Sequence, residues 1–290
     1  MEYAGSYALF NYRLEDAKKG LEYDNLRLIR AFEHGLDASS SEAGFVLVHI
    51  AMVKESSALV KGTVEMLNGS SAKNREQFDE GLRTLVTGLR NVNAVMNSKL
   101  AKFMILPVLT LIAMWNRSKP TGYTSFRTFI FGITSQSMFP NGVVYEGVSE
   151  EPLSFRGESG ANDSMVHLSY DKSLWDTNSA QIPLCDNLLQ IQMPETPLTD
   201  ILNDFRQYRP GNHREFLEAV RDCAAQTSLR DFALADSVSA ALYLQALDQV
   251  RDFRWRHWCF TREYILKHTT HPTATGGSPI VTVSSISCWG

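Results

Sequence analysis

His257 stands on an apolar helical stripe. From Asp236 to Lys267, Leu242, Ala246, Val250, Phe253, Phe260 and Tyr264 recur at three- and four-residue steps, with His257 between Phe253 and Phe260. That spacing is one buried face of a helix. An imidazole on such a face needs a partner for each ring nitrogen. Two solutions serve: a core histidine bonded to a backbone carbonyl, or a neutral ligand to a metal or haem iron. Eighteen residues on lies a Thr275-Gly276-Gly277-Ser278 turn. Phe45 and His49 stand one helical turn apart, which puts ring and imidazole on the same face. Arg127 lies among apolar neighbours in Tyr123–Ile130 (YTSFRTFI). Its planar guanidinium suits a bound carboxylate or an internal salt bridge.

The elements that must hold these groups are helical. The stretch Leu21–Phe32 reads as amphipathic, and Glu42–Leu67 as one long helix ending at Asn68-Gly69. Arg75–Trp115 reads as one or two helices broken at Pro107, followed by a loop at Ser118–Gly122 and a short apolar segment from Tyr123 to Gly132. Phe139–Ser164 is rich in Gly, Pro and Ser without a period, as functional or disordered loops are. Ile182–Gln192, Leu198–Tyr208, Asn212–Ala225 and the His257 helix complete an all-α set, with no convincing strand pair.

Composition narrows the classes. The 290 residues are 44% hydrophobic, enough for a sizeable core, and the net charge of -4 leaves no basic footprint for nucleic acid. Cys185, Cys223, Cys259 and Cys288 are scattered without metal-ligand spacing, so free thiols in a reducing compartment are expected. No signal peptide is visible, and the apolar run Phe103–Trp115 is too short to cross a bilayer. The expectation is a cytoplasmic, monomeric protein with no membrane and no nucleic-acid partner.

Together several stretches resemble the indoleamine/tryptophan 2,3-dioxygenase family. Arg254–Leu266 (RWRHWCFTREYIL) is similar to its proximal-histidine helix, and Phe205–Leu217 (FRQYRPGNHREFL) to the helix-turn segment before it. Gly142–Gly147 (GVVYEG) leads into the Gly/Ser loop, and Thr275-Gly276-Gly277 looks like the substrate-capping turn. The resemblance runs from about Tyr3 to Ile280 and favours the indoleamine branch. It implies a helical haem-binding bundle like that family's large domain, over residues 1–280. It also implies b-type haem, with O2 and a small indole as substrates and an N-formylkynurenine-type product. His257 would be the iron ligand, and Arg254 would pair with Asp186 near a haem propionate. Arg127 would grip the substrate carboxylate, Ser159 would lie over the haem edge, and Thr275 with Gly276 would cap the substrate. Phe45 and Tyr123 would wall the pocket. His49, a serine in most of the indoleamine branch, could accept the indole N–H.

Three features depart from the family pattern. The chain begins near the start of the large domain, so the smaller N-terminal domain is expected to be absent and the distal roof near Tyr3 with it. Gly122 replaces a phenylalanine, which predicts a larger or looser pocket. The tail at 281–290 (VTVSSISCWG) is atypical. Two further readings stay open: an oxygenase of specialised indole metabolism, and a non-catalytic oxygen-binding haem protein.

Overall fold

The computed structural model describes residues 10–96, 117–130, 181–195 and 211–268. These residues are predominantly helical: α1 (Ser41–Lys54), α2 (Ser56–Ser71), α3 (Arg75–Met96), α4 (Pro120–Ile130), α5 (Gln181–Leu188), α6 (Gly211–Gln226), α7 (Leu229–Leu234) and α8 (Ser237–Phe260). The expected all-α class is borne out, with one small addition. Tyr12–Leu14 (β1) and Leu26–Leu28 (β2) pair antiparallel, with Arg13 opposite Arg27.

That hairpin corrects the helical reading of Leu21–Phe32. Asn25 is buried, and its side chain donates to the carbonyls of Asp16 (2.7 Å) and Gly20 (2.8 Å) while accepting from the Asp16 N–H at 2.8 Å. Those bonds close the loop. Leu26 and Leu28 then go inward at the two-residue period of a strand, a pattern that a helical reading of the same leucines overlooks.

The expected single helix over Glu42–Leu67 is also two. It breaks at Glu55 and continues past Asn68-Gly69 to Ser71. The buried Gln181 of α5 donates its side-chain amide to the Met52 carbonyl at 3.2 Å and also bonds Ser56 Oγ. A side chain inserted into the helical ladder is a recognised cause of a kink. Ser41–Ser71 is long and apolar enough to cross a membrane, but 61% of its most apolar window is buried inside the protein. Its apolar surface therefore serves the core.

The helices α2 and α3 form an antiparallel hairpin packed at glycine contacts. A Cβ on Gly62 would lie 2.8 Å from the Gly81 carbonyl, and one on Gly81 2.7 Å from the Met66 nitrogen. α8 lies along α3 and buries Tyr243, Ala246, Val250, Phe253 and Phe260. The predicted stripe is thus the core face, although Leu242 is only partly buried. Polar ties along the pair include Ser239 Oγ, which donates to Asp79 at 2.5 Å, and Asn93, which donates to the Gln249 carbonyl at 3.0 Å. Among the described residues Cys185, Cys223 and Cys259 are free thiols, as expected; Cys288 lies outside them.

Candidate functional site

α1 begins at a Ser40 cap, whose hydroxyl accepts the Ala43 N–H at 3.1 Å, and is buried from Glu42 to Met52. Phe45 and His49 are each 1% exposed, with ring centroids 4.7 Å apart. His49 Nδ1 lies 2.6 Å from the Phe45 carbonyl oxygen. A carbonyl only accepts, so Nδ1 carries the proton and Nε2 is the acceptor nitrogen. Burial pushes the His49 pKa down to about 4 against the opposing Phe45 bond, so the ring is neutral at physiological pH.

α4 meets α1 through aromatic rings. Tyr123 and Phe126 are wholly buried, their centroids 5.0 and 5.7 Å from that of Phe45, and Tyr264 stands edge-on to Tyr123 at 5.6 Å. The empty side of Gly122 faces the start of α1. A Cβ there would meet Ser41 Oγ at 2.3 Å and His34 Cε1 at 3.6 Å. The missing side chain thus lets α4 approach the start of α1. His34 continues that contact with a 2.6 Å bond to Ser125 Oγ and an edge-on approach to Phe126. The loop carrying His34 is anchored by Glu42, whose buried carboxylate accepts the N–H groups of Phe32 (2.6 Å), Glu33 (3.1 Å) and His34 (3.1 Å). Arg127 belongs to the last turns of α4; its side chain lies outside the described residues.

The second histidine comes from α8. His257 is partly accessible, yet burial holds its pKa down to about 4, and the next contribution is electrostatic, from His49. That contribution puts His257 of α8 within electrostatic range of His49 of α1. Just beyond, the helix widens into a π-turn at Thr261–Leu266 that buries the consecutive Tyr264 and Ile265. Such turns recur at functional sites.

One turn before His257, Arg254 Nη2 donates to both oxygens of Asp186 at 2.8 Å. The Asp186 side chain is 7% exposed and that of Arg254 is 36%. The pair read from sequence is therefore formed, and it ties α8 to α5. Beside it the buried thiol of Cys185 is pushed well above its ordinary range by desolvation.

Of the residues singled out from sequence, the structure packs Phe45, His49 and Tyr123 together, sets His257 within electrostatic range of His49, and pairs Arg254 with Asp186. Ser159, Thr275 and Gly276 lie outside the described residues. Sequence reading missed Glu42, His34 and Gln181. Glu42 had a faint signal, an acidic residue in a first helical turn, but nothing local reveals which distant N–H groups it receives.

Among the described residues no three His, Cys, Asp or Glu side chains converge to cage an ion. A single neutral imidazole suits a metal that arrives with most of its ligands already in a macrocycle. His257, a neutral imidazole on a helix, is a donor of the kind that fits haem iron.

A family profile described as "Indoleamine 2,3-dioxygenase" matches residues 1–280. The human protein named indoleamine 2,3-dioxygenase 2 is 27% identical over 274 residues, covering 93% of this chain and 57% of that protein. Mouse indoleamine 2,3-dioxygenase 1 is 22% identical over 268 residues, covering 90% and 57%, and the Saccharomyces cerevisiae indoleamine 2,3-dioxygenase is 24% identical over 272 residues, covering 90% and 54%. The chain thus spans a little over half the length of the curated relatives it matches. With a match of that extent, the chain belongs to the indoleamine 2,3-dioxygenase family.

Proposed function

We propose that residues 1–280 form a haem-dependent dioxygenase unit that inserts both atoms of O2 across the C2–C3 bond of tryptophan or a related indole. The observation that carries this reading is the neutral His49, packed with Phe45 and Tyr123, and a second neutral histidine, His257, within its electrostatic range on a helix tied down by Arg254 and Asp186. His257 would hold the haem iron, and Arg254 with Asp186 would keep its helix in place. When bound, the haem supplies the activation of O2. Both oxygen atoms enter the product as the ring bond breaks, so the overall reaction consumes no external reductant.

The chain's own residues do the positioning. His49 Nε2 accepts the indole N–H, because Nδ1 is committed to the Phe45 carbonyl. Phe45 and Tyr123 supply a flat apolar wall; both are covered in this structure, so an indole reaches them only as their cover moves aside. Arg127 takes the substrate carboxylate, Ser159 sits at the haem edge, and Thr275 with Gly276 closes over the substrate. Asp186, Arg254 and His257 serve the cofactor. Little acid–base work is required of these groups, and positioning contributes most of the rate. The unit is read as cytoplasmic and monomeric.

The test is reconstitution with haemin, reduction, and exposure to tryptophan under 18O2. Two labelled oxygens in an N-formylkynurenine-type product support the reading. His257→Ala should lose the ferrous haem spectrum and most of the bound haem. Equal haem retention and an unchanged spectrum in that variant would remove His257 as the ligand.

A further inference from the structure

Arg256, immediately before His257, has no role in the reading above. Its side chain is 21% exposed, and its Nη1 is buried without a hydrogen-bond partner among the described residues. Its ion pair runs from Nη2 to Asp252 at 3.5 Å, too long for a good hydrogen bond, and Asp252 also receives Arg251 at 3.3 Å. Arg254 differs, because its Nη2 is engaged by both oxygens of Asp186. Of these two arginines, one is closely compensated and the other buries a cationic N–H with no acceptor among the described residues.

A guanidinium cannot relieve that situation by losing its proton. Buried polar groups are nearly always paired, and one left unpaired calls for an ion or ligand to be considered. An oxygen acceptor would satisfy it, and an anionic one would match the cation best. Successive helical residues stand about 100° apart around the axis. A long side chain at the position before His257 can reach the rim of a flat ligand held by that imidazole, but not the ligand's face.

We infer that Arg256 Nη1 binds a propionate carboxylate of the macrocycle, as a second cationic contact beside the Arg254–Asp186 pair. The inference rests on the haem reading and adds to it a specific anchoring residue.

Haemin dimethyl ester separates the possibilities, because it keeps the ring and iron but neutralises both carboxylates. The full chain and its variants are loaded with haemin or with the ester, and pigment loss to excess apomyoglobin is timed. Arg256→Leu should release haemin about tenfold faster, the loss of one charge-assisted hydrogen bond, while leaving release of the ester unchanged. Arg256→Lys should recover most of the haemin retention, and the unfolding midpoint of the pigment-free Leu variant should match that of the unsubstituted chain. Equal acceleration with both pigments would show that Arg256 supports only the fold and would overturn the inference, as would no acceleration with either. A parent chain that binds neither pigment would overturn the haem reading and this inference with it. A parent that binds both, with an Arg256→Leu variant indistinguishable from it, would overturn only the role of Arg256.

Discussion

The two histidine-bearing helices are kept neutral by different arrangements. α1 is enclosed along its middle: every residue from Glu42 to Met52 is buried, and the imidazole of His49 is bonded to a carbonyl one turn back. α8 is buried along one face only. Trp255 is 56% exposed and Leu244 59% exposed, while His257 on the inner side keeps some accessible surface. Both rings have a pKa near 4, chiefly from desolvation. One is held with its tautomer set, as a fixed acceptor should be. The other retains surface at which a ligand could be met. Equal proton affinity therefore does not mean equal function, and the difference lies in what each ring leaves accessible.

The enclosure of α1 gives the largest expected effect. A Cβ on Gly44 would sit 1.8 Å from the Arg117 carbonyl oxygen, backbone against backbone, so neither side can yield cheaply. Gly44→Ala should lower stability by about 3 kcal/mol or more, whereas Ala241→Ser on the exposed side of α8 should stay within about 0.5 kcal/mol. Urea unfolding of both variants checks the contrast, and equal losses would break it.

Acid comes next. The folded pKa of His49 is about 4, below its ordinary 6.5, so the unfolded chain takes up the proton first. The stabilisation is complete above pH 6.5, falls as pH drops toward 4, and is exhausted below that. For the pigment-free protein this amounts to about 3 kcal/mol between pH 7 and 4, and His257 adds a contribution of the same sign. His49→Gln should lose correspondingly less stability over that interval. A gap between the two proteins that does not change with pH would show that the ring is not held neutral by burial.

Arg254→Met probes how α8 is tethered. It removes the guanidinium from an Asp186 carboxylate that is 7% exposed, for an expected loss of about 1–3 kcal/mol, read by thermal unfolding. An unchanged midpoint would mean that the other partners of Asp186 suffice.

The smallest effect belongs to His49→Ser, which keeps a hydrogen-bonding group at the distal position. Tryptophan turnover in the reconstituted protein should stay within about tenfold, roughly 1.4 kcal/mol. A larger fall would mean that the imidazole does more than orient the indole.

The sequence by itself determined the helical class, the inward stripe of α8 with His257 on it, and the shared face of Phe45 and His49. Each follows from a local period, and helical geometry converts spacing into direction with little help from the rest of the chain. The Arg254–Asp186 pair was legible only through family resemblance, since 68 residues separate its partners. Where local patterns were ambiguous, tertiary contacts decided. Asn25 turned an apparent helix into a hairpin, and Gln181 divided α1 from α2. The direction of the empty side of Gly122 and the three N–H groups received by Glu42 likewise depend on partners brought in from elsewhere, as does the lack of an acceptor for Arg256 Nη1 among the described residues. Hydrogen-bond satisfaction and close packing are properties of the assembled interior, so no window of sequence states them in advance.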